Sequence, residues 1–253
     1  AGTVGAAVST SNLFCAAPVH LLRAHLKQTT EVRHWLLNAG NANAGTGQPG
    51  MQAAQATVDA LAALESVSTQ TIWPFSTGVI GEPLPVERIC GALPQALAKR
   101  SGDVAAWDAA ARAIMTTDTH PKCRSIRCEI EGETVTLTGM AKGSGMIHPN
   151  MATMFGLLAT DARISAACLQ QALQTAVDHS FNCVTVDGDT STNDACALVA
   201  TQQAPHTAID DIHSEAFQTF QKALSQLCDD LAEMLARDGE GASKFVRVVV
   251  TEA

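Results

Sequence analysis

Residues 148–162 read HPNMATMFGLLATDA, and in them a loop-forming HPN passes through Ala152 into Thr153 and the apolar run Met154 to Leu158. Threonine is at home in strands, so Thr153 alone announces no chemistry. Placed at a new chain start, however, it becomes a self-sufficient nucleophile. Its hydroxyl attacks, and its own α-amino group, with an unperturbed pKa of about 7.7–8.0, takes the proton near neutral pH. The small Ala152 before it suits an N-to-O acyl shift followed by hydrolysis. Acyl transfer also needs donors aimed at a developing oxyanion. In WPFSTGVIGEPLP, residues 73–85, Thr77 and Gly78 fall in an expected short turn where a hydroxyl and a backbone N–H can converge. Taken in isolation, that STG is an ordinary turn.

Other polar segments fail the chemistry they first suggest. GNANAGTG (40–47) has the glycine spacing of a phosphate loop, but Thr46 and Gly47 stand where lysine and a hydroxyl residue are required. KGSGMIH (142–148) opens like a dinucleotide fingerprint and places His148 at the third glycine. DGDTSTND (187–194) starts like a calcium loop, yet Thr192 occupies the glycine turn and Leu198 the bidentate glutamate. Asp187, Asp189 and Asp194 are better suited to ordering a loop through backbone N–H groups. No G-x-S-x-G is present. His120 and His148, each before a proline, read as structural or exposed loop residues. Cys123 and Cys128 have no second Cys/His pair at zinc spacing, so no metal is expected.

These residues need a scaffold, and the composition supplies one. The chain has 253 residues, 46% hydrophobic and 16% charged, enough for a substantial core. A net charge of −9 disfavours nucleic acid and anionic membrane as partners. No apolar run approaches a transmembrane length, and the first residues lack the basic segment of a secretory signal. Eight scattered cysteines suit a reducing compartment better than a disulfide framework. Apolar periodicity predicts helices over 51–65, 103–115, 164–178 and 213–237, the second capped by the Ser101-Gly102-Asp103 segment. Strands are predicted near 125–131, 133–138, 153–159, 182–186, 195–200 and 245–251, the first two forming a hairpin that turns at Glu131-Gly132-Glu133. Such mixed elements predict an α/β class with mixed α+β layers, not a doubly wound dinucleotide fold.

Together, GNANAGTG, PFSTGVIGEPLP, IMTTDTHPK (114–122), GMAKGSGMIHPNMATM (139–154), VDGDTSTND (186–194) and GEGASKF (239–245) resemble the ornithine acetyltransferase family, the glutamate N-acetyltransferases of arginine biosynthesis. The motifs stand in the family's order and span nearly the whole chain. The resemblance implies a layered sandwich of sheets and helices and self-cleavage between Ala152 and Thr153. It divides the chain into an α part, 1–152, and a β part, 153–253, with family members extending beyond both ends. It further implies that Thr153 takes the acetyl group from N-acetylornithine as an acetyl-threonine and passes it to glutamate in a ping-pong cycle. Thr77 and Gly78 match the oxyanion-stabilising pair. Thr116 (Thr117 being the alternative), Lys142, Thr153 and Glu240 match substrate-binding positions, Lys142 suiting a carboxylate or, eleven residues before Thr153, assistance at the cleavage site, and Glu240 the ornithine amine. No cofactor is implied, acetyl-CoA remaining open as a further donor. The implied assembly is α2β2, in the cytoplasm or, for a eukaryotic source, the mitochondrion. Ser243 stands where threonine is usual. Two other readings remain: an amidase or aminopeptidase that hands the acyl group to water, and a non-catalytic fragment that binds amino acids.

Overall fold

The computed structural model describes residues 2–148 and 154–251; Ala152 and Thr153 lie outside the described residues. One five-stranded sheet runs in the order β1 (Val4–Ser9), β7 (Ala195–Ala200), β6 (Phe155–Thr160), β5 (Glu133–Lys142), β4 (Lys122–Ile130). Its β6–β7 pair is parallel and its other pairs are antiparallel. A second sheet is the parallel pair β2 (His34–Asn41) and β3 (Ile72–Val79).

Side chains alternate across a strand, and here both faces of the large sheet are apolar, so both must be covered. One set, including Val135, Leu137, Leu158, Cys196 and Leu198, packs with helices α5 (Ala166–His179) and α6 (Glu215–Arg237). The alternate set, Met140, Phe155, Leu157, Ala195 and Ala197, packs with Trp73 and Phe75 of β3. Phe75 and Phe155 meet edge to face with ring centres 5.6 Å apart, fixing the contact between sheets. The far side of the β2–β3 pair, through Ile72, buries itself against α1 (Ala17–Leu26), α2 (Gly47–Glu65) and Leu93 of α3 (Val86–Ala98). Helix α4 (Val104–Ala113) contributes Ala111 to the inter-sheet core. The result is a four-layer sandwich of helices, sheet, sheet and helices, in agreement with the expected mixed layers.

Local chemistry explains most element ends. Asp103, Ser165 and Ser214 cap α4, α5 and α6 by accepting from Ala106, Cys168 and Phe217 N–H groups. The β4–β5 hairpin turns through Glu131 and Gly132, both at positive φ (54° and 80°), as a two-residue primed turn requires. Two predicted strands are absent. Residues 182–186 begin in a 3₁₀ turn, Phe181–Cys183, that closes α5. Residues 245–251 have no regular structure, and Val246, Val248, Val249 and Val250 are exposed. Strands β1 and β2 and helices α1 and α3 were not predicted. Strands from both sides of position 153 share the large sheet: β1, β4 and β5 before it, β6 and β7 after it. No helix among the described residues is long and apolar enough to cross a membrane.

Candidate active site

The parity that builds the core also assembles a polar cluster at one end of it. On β3, Thr77 shares its face with Trp73 and Phe75; on β5, Lys142 shares its face with Met140. Both therefore point into the space between the sheets. Lys142 Nζ donates to Thr77 Oγ1 at 3.1 Å and to Thr116 Oγ1 at 2.8 Å, with Asp118 at 3.9 Å. An ammonium only donates, so each hydroxyl accepts from Lys142 and keeps its own proton for another partner. Thr117 instead bonds Ser144 Oγ at 2.7 Å, which leaves Thr116 as the member of TTDT in the cluster. Thr77 and Gly78 are not in a free turn, as the sequence suggested, but are the end of β3, paired with Ala39 and Gly40. Gly78 has φ 131°, and a Cβ there would stand 2.3 Å from the Gly40 carbonyl carbon. Only glycine fits this approach.

Lys142 is 3% exposed. Burial lowers its pKa, and the nearby Asp118 carboxylate offsets part of that loss. Behind it lies a buried charge cluster. Lys122 Nζ is held between Asp118 Oδ1 and Asp238 Oδ2, 2.6 Å from each. Burial alone would raise Asp118, but the Gly143 N–H and the Lys122 ammonium outweigh it and hold the carboxyl below its ordinary range. Asp238 is also lowered: burial opposes, while Lys122 and Thr119 prevail. The cluster locks the end of β5 to the end of α6, which the chain must leave to reach Glu240. Glu240 is exposed, its N–H donates to Ser144 O at 2.6 Å, and its carboxylate faces Gly145. A Cβ at Gly145 would sit 2.5 Å from Glu240 Oε2, so glycine makes room for that carboxylate.

The start of β6 enters from the other side. Met154 is buried, and its N–H donates to Asp194 Oδ1 at 2.8 Å. Asp187 accepts from Met146, Ile147 and Asp189 N–H groups, so Asp187 and Asp194 do order backbone as expected. Asn193 donates to Ala42 O and Ser76 O at 2.7 and 2.8 Å, tying this corner to β3 and to the residue that follows β2. Of the residues expected from sequence, Thr77 and Thr116 thus meet at Lys142, with Gly78 next to Thr77 and Glu240 at the rim. Ala152 and Thr153 lie outside the described residues, next to the pinned Met154. Asp118, Lys122, Asp238 and Asn193 were not expected. The first two sit inside TTDTHPK with a four-residue spacing that hinted at a pair, but only the fold reveals Asp238 as the third member.

A family model, that of the ArgJ family, matches residues 1–253. The chain belongs to the ArgJ family. The proteins named arginine biosynthesis bifunctional protein ArgJ from Methylococcus capsulatus and Pseudomonas syringae pv. tomato are 55% and 51% identical to it. Those matches cover 100% and 98% of this chain and 60% of each relative, so the chain spans about 60% of the length of these ArgJ proteins. The crystal structure of ArgJ from Bacillus halodurans is similar over 58% of this chain and 75% of its own, with a TM-score of 0.55 and 36% identity. The L-aminopeptidase D-Ala-esterase/amidase of Ochrobactrum anthropi, described as a variant of the Ntn hydrolase fold, matches over 94% of this chain and 73% of its own. At 14% identity and a TM-score of 0.54 it shares the fold alone.

Proposed function

We propose that this chain is the catalytic portion of a glutamate N-acetyltransferase that cleaves itself between Ala152 and Thr153 and then moves an acetyl group from N-acetylornithine to glutamate. The observation that carries this reading is the Lys142–Thr77–Thr116 contact beside the first residue of β6. Family membership and the names of the ArgJ relatives support the arginine-biosynthesis setting; the substrates are those the motif resemblance implies.

In the first step the Thr153 hydroxyl attacks the Ala152 carbonyl, and water hydrolyses the resulting ester. This leaves a carboxylate on Ala152 and a free amine on Thr153. The two fragments stay associated because their strands share one sheet. In the transfer cycle the Thr153 α-amine takes the hydroxyl proton and delivers it to the departing ornithine nitrogen. The resulting acetyl-threonine is then attacked by the glutamate amine. Thr77, whose O–H proton is spared by the Lys142 contact, and the Gly78 N–H stabilise the oxyanion. Lys142 and Thr116 bind a substrate carboxylate, and Glu240 pairs with the ornithine side-chain ammonium. No cofactor takes part; acetyl-CoA is a further donor, tested by supplying it with glutamate alone. Water as acceptor has no observation of its own, whereas the Lys142 and Glu240 charges match an amino-acid substrate. The assembly is α2β2 and the compartment the cytoplasm, as suits bacterial relatives.

The test is steady-state transfer from N-acetylornithine to glutamate by the protein at full natural length. Parallel double-reciprocal lines and loss of all transfer in Thr153→Ala are expected. Undiminished transfer in that variant contradicts the mechanism.

A further inference from the structure

Asp118 is buried in the same corner as Lys142, and both of its oxygens are engaged. Oδ1 accepts from the Lys122 ammonium at 2.6 Å and from the Gly143 N–H at 2.7 Å. Oδ2 accepts the Thr116 N–H at 3.2 Å and stands 3.9 Å from Lys142 Nζ, a separation that transmits charge but is too long for a hydrogen bond. One carboxylate therefore pins the main chain at Thr116 and directly after Lys142, the two residues whose side chains meet. The charges balance only when Lys142 is included. Asp118 and Asp238 share Lys122, and both carboxyls are held below their ordinary range, so one negative charge is left over. Lys142 is the cation that balances it. Its ammonium has three protons. Thr77 and Thr116 take two, and Asp118 stands too far off to take the third.

We propose that Asp118 is a positioning residue for the transfer site: it fixes the main chain that carries Lys142 and Thr116, and it holds the Lys142 ammonium by charge without accepting a hydrogen bond from it, so that the third N–H is left for the carboxylate of an amino-acid substrate. This rests on the reading of Lys142 and Thr116 as substrate-binding residues. A neutral Lys142 would behave differently in two ways. Its lone pair would accept the Thr77 O–H, the proton that the oxyanion needs, and it would present no charge to a carboxylate. Burial pushes Lys142 toward that neutral form, and the Asp118 carboxylate is the largest influence against it. Asp194, just before β7, and Glu240, just after α6, act in the same sense as Asp118, while Lys122 acts with burial. Loss of the Asp118 charge therefore lowers the pH at which Lys142 gives up its proton.

The experiment is Asp118→Asn in the full-length protein, with self-cleavage read by intact mass and kcat/KM for N-acetylornithine followed from about pH 6 to about pH 10, which spans the amine range. The amide keeps an acceptor for the Gly143 N–H and removes the charge. The basic limb is expected at lower pH than in wild type, and kcat/KM at the alkaline end falls by about tenfold or more. A limb at the wild-type position overturns the proposal, whether kcat/KM is unchanged or reduced by one factor at every pH, since lost packing alone would do the latter. Should Asp118→Asn fail to fold or to cleave, NMR of wild-type protein carrying isotope-labelled lysine decides. Lys142 is expected to be charged at neutral pH and to lose its proton along the basic limb; a neutral Lys142 at about pH 7 overturns the proposal. Wild-type protein that moves no acetyl group from N-acetylornithine to glutamate overturns the reading of the site on which the proposal rests, a failure seen without any variant.

Discussion

Lys142 organises the site because an ammonium can only donate. Two threonine hydroxyls accept from it, and the proton each keeps is what an oxyanion or a carboxylate needs. Thr77→Val preserves shape and removes the hydroxyl. It is expected to lower kcat by about 10²–10³, the usual cost of one oxyanion donor, with KM for N-acetylornithine little changed. Stopped assays with purified variant check this, and an unaltered kcat would remove Thr77 from the mechanism. Glu240→Gln, by contrast, should raise KM for N-acetylornithine and leave cleavage intact, seen by kinetics beside a denaturing gel. The Asp118–Lys122–Asp238 cluster supports this arrangement from behind: Asp118 accepts the Thr116 N–H at 3.2 Å and the Gly143 N–H at 2.7 Å.

Two glycines show how elements shape the site. Gly78 lets β3 press its last residues onto Gly40, and Gly145 leaves the space that the Glu240 carboxylate fills. Gly145→Ala is expected to displace that carboxylate, raising KM for N-acetylornithine by about tenfold or more as one charged contact is lost, with self-cleavage retained. An unchanged KM contradicts the placement of Glu240. At this scale the sequence is readable where a pattern is local. The periodic apolar faces of α5 and α6, the Ser101-Gly102-Asp103 cap of α4, and the Glu131-Gly132 turn all declare themselves. Residues 245–251 show the opposite: a valine-rich run has strand propensity, but a strand exists only when a partner pairs with it. Strand β2, HWLLNAGN, is half-buried along most of its length and carries no clean apolar–polar alternation, and so it escaped notice. The contact between Thr77 and Lys142, 65 residues apart, follows from strand parity once the sheets are stacked; before that, only the family resemblance joined them.

Across the whole molecule, cleavage at Thr153 would sever a chain but not a fold, since the central sheet is shared by strands from both sides. The buried charge cluster gives that fold an acid limit. Asp118 and Asp238 stand below their ordinary pKa when folded and return to about 3.9 on unfolding, so their stabilisation is complete above that value and is lost as pH falls through it toward the folded values. Lys122→Met removes the cation that both carboxylates share. It is expected to cost about 3–5 kcal/mol at pH 7 and to flatten the acid loss, followed by denaturant melts at several pH values. A variant as stable as wild type with the same acid slope contradicts this role. The central claim, that Thr153 is released as a nucleophile, is tested most directly by intact-mass spectrometry of the denatured full-length protein. Two masses, one belonging to a fragment that begins at Thr153, are predicted, and both should vanish in favour of the precursor in Thr153→Ala. A single uncleaved mass for active wild-type protein would contradict the account.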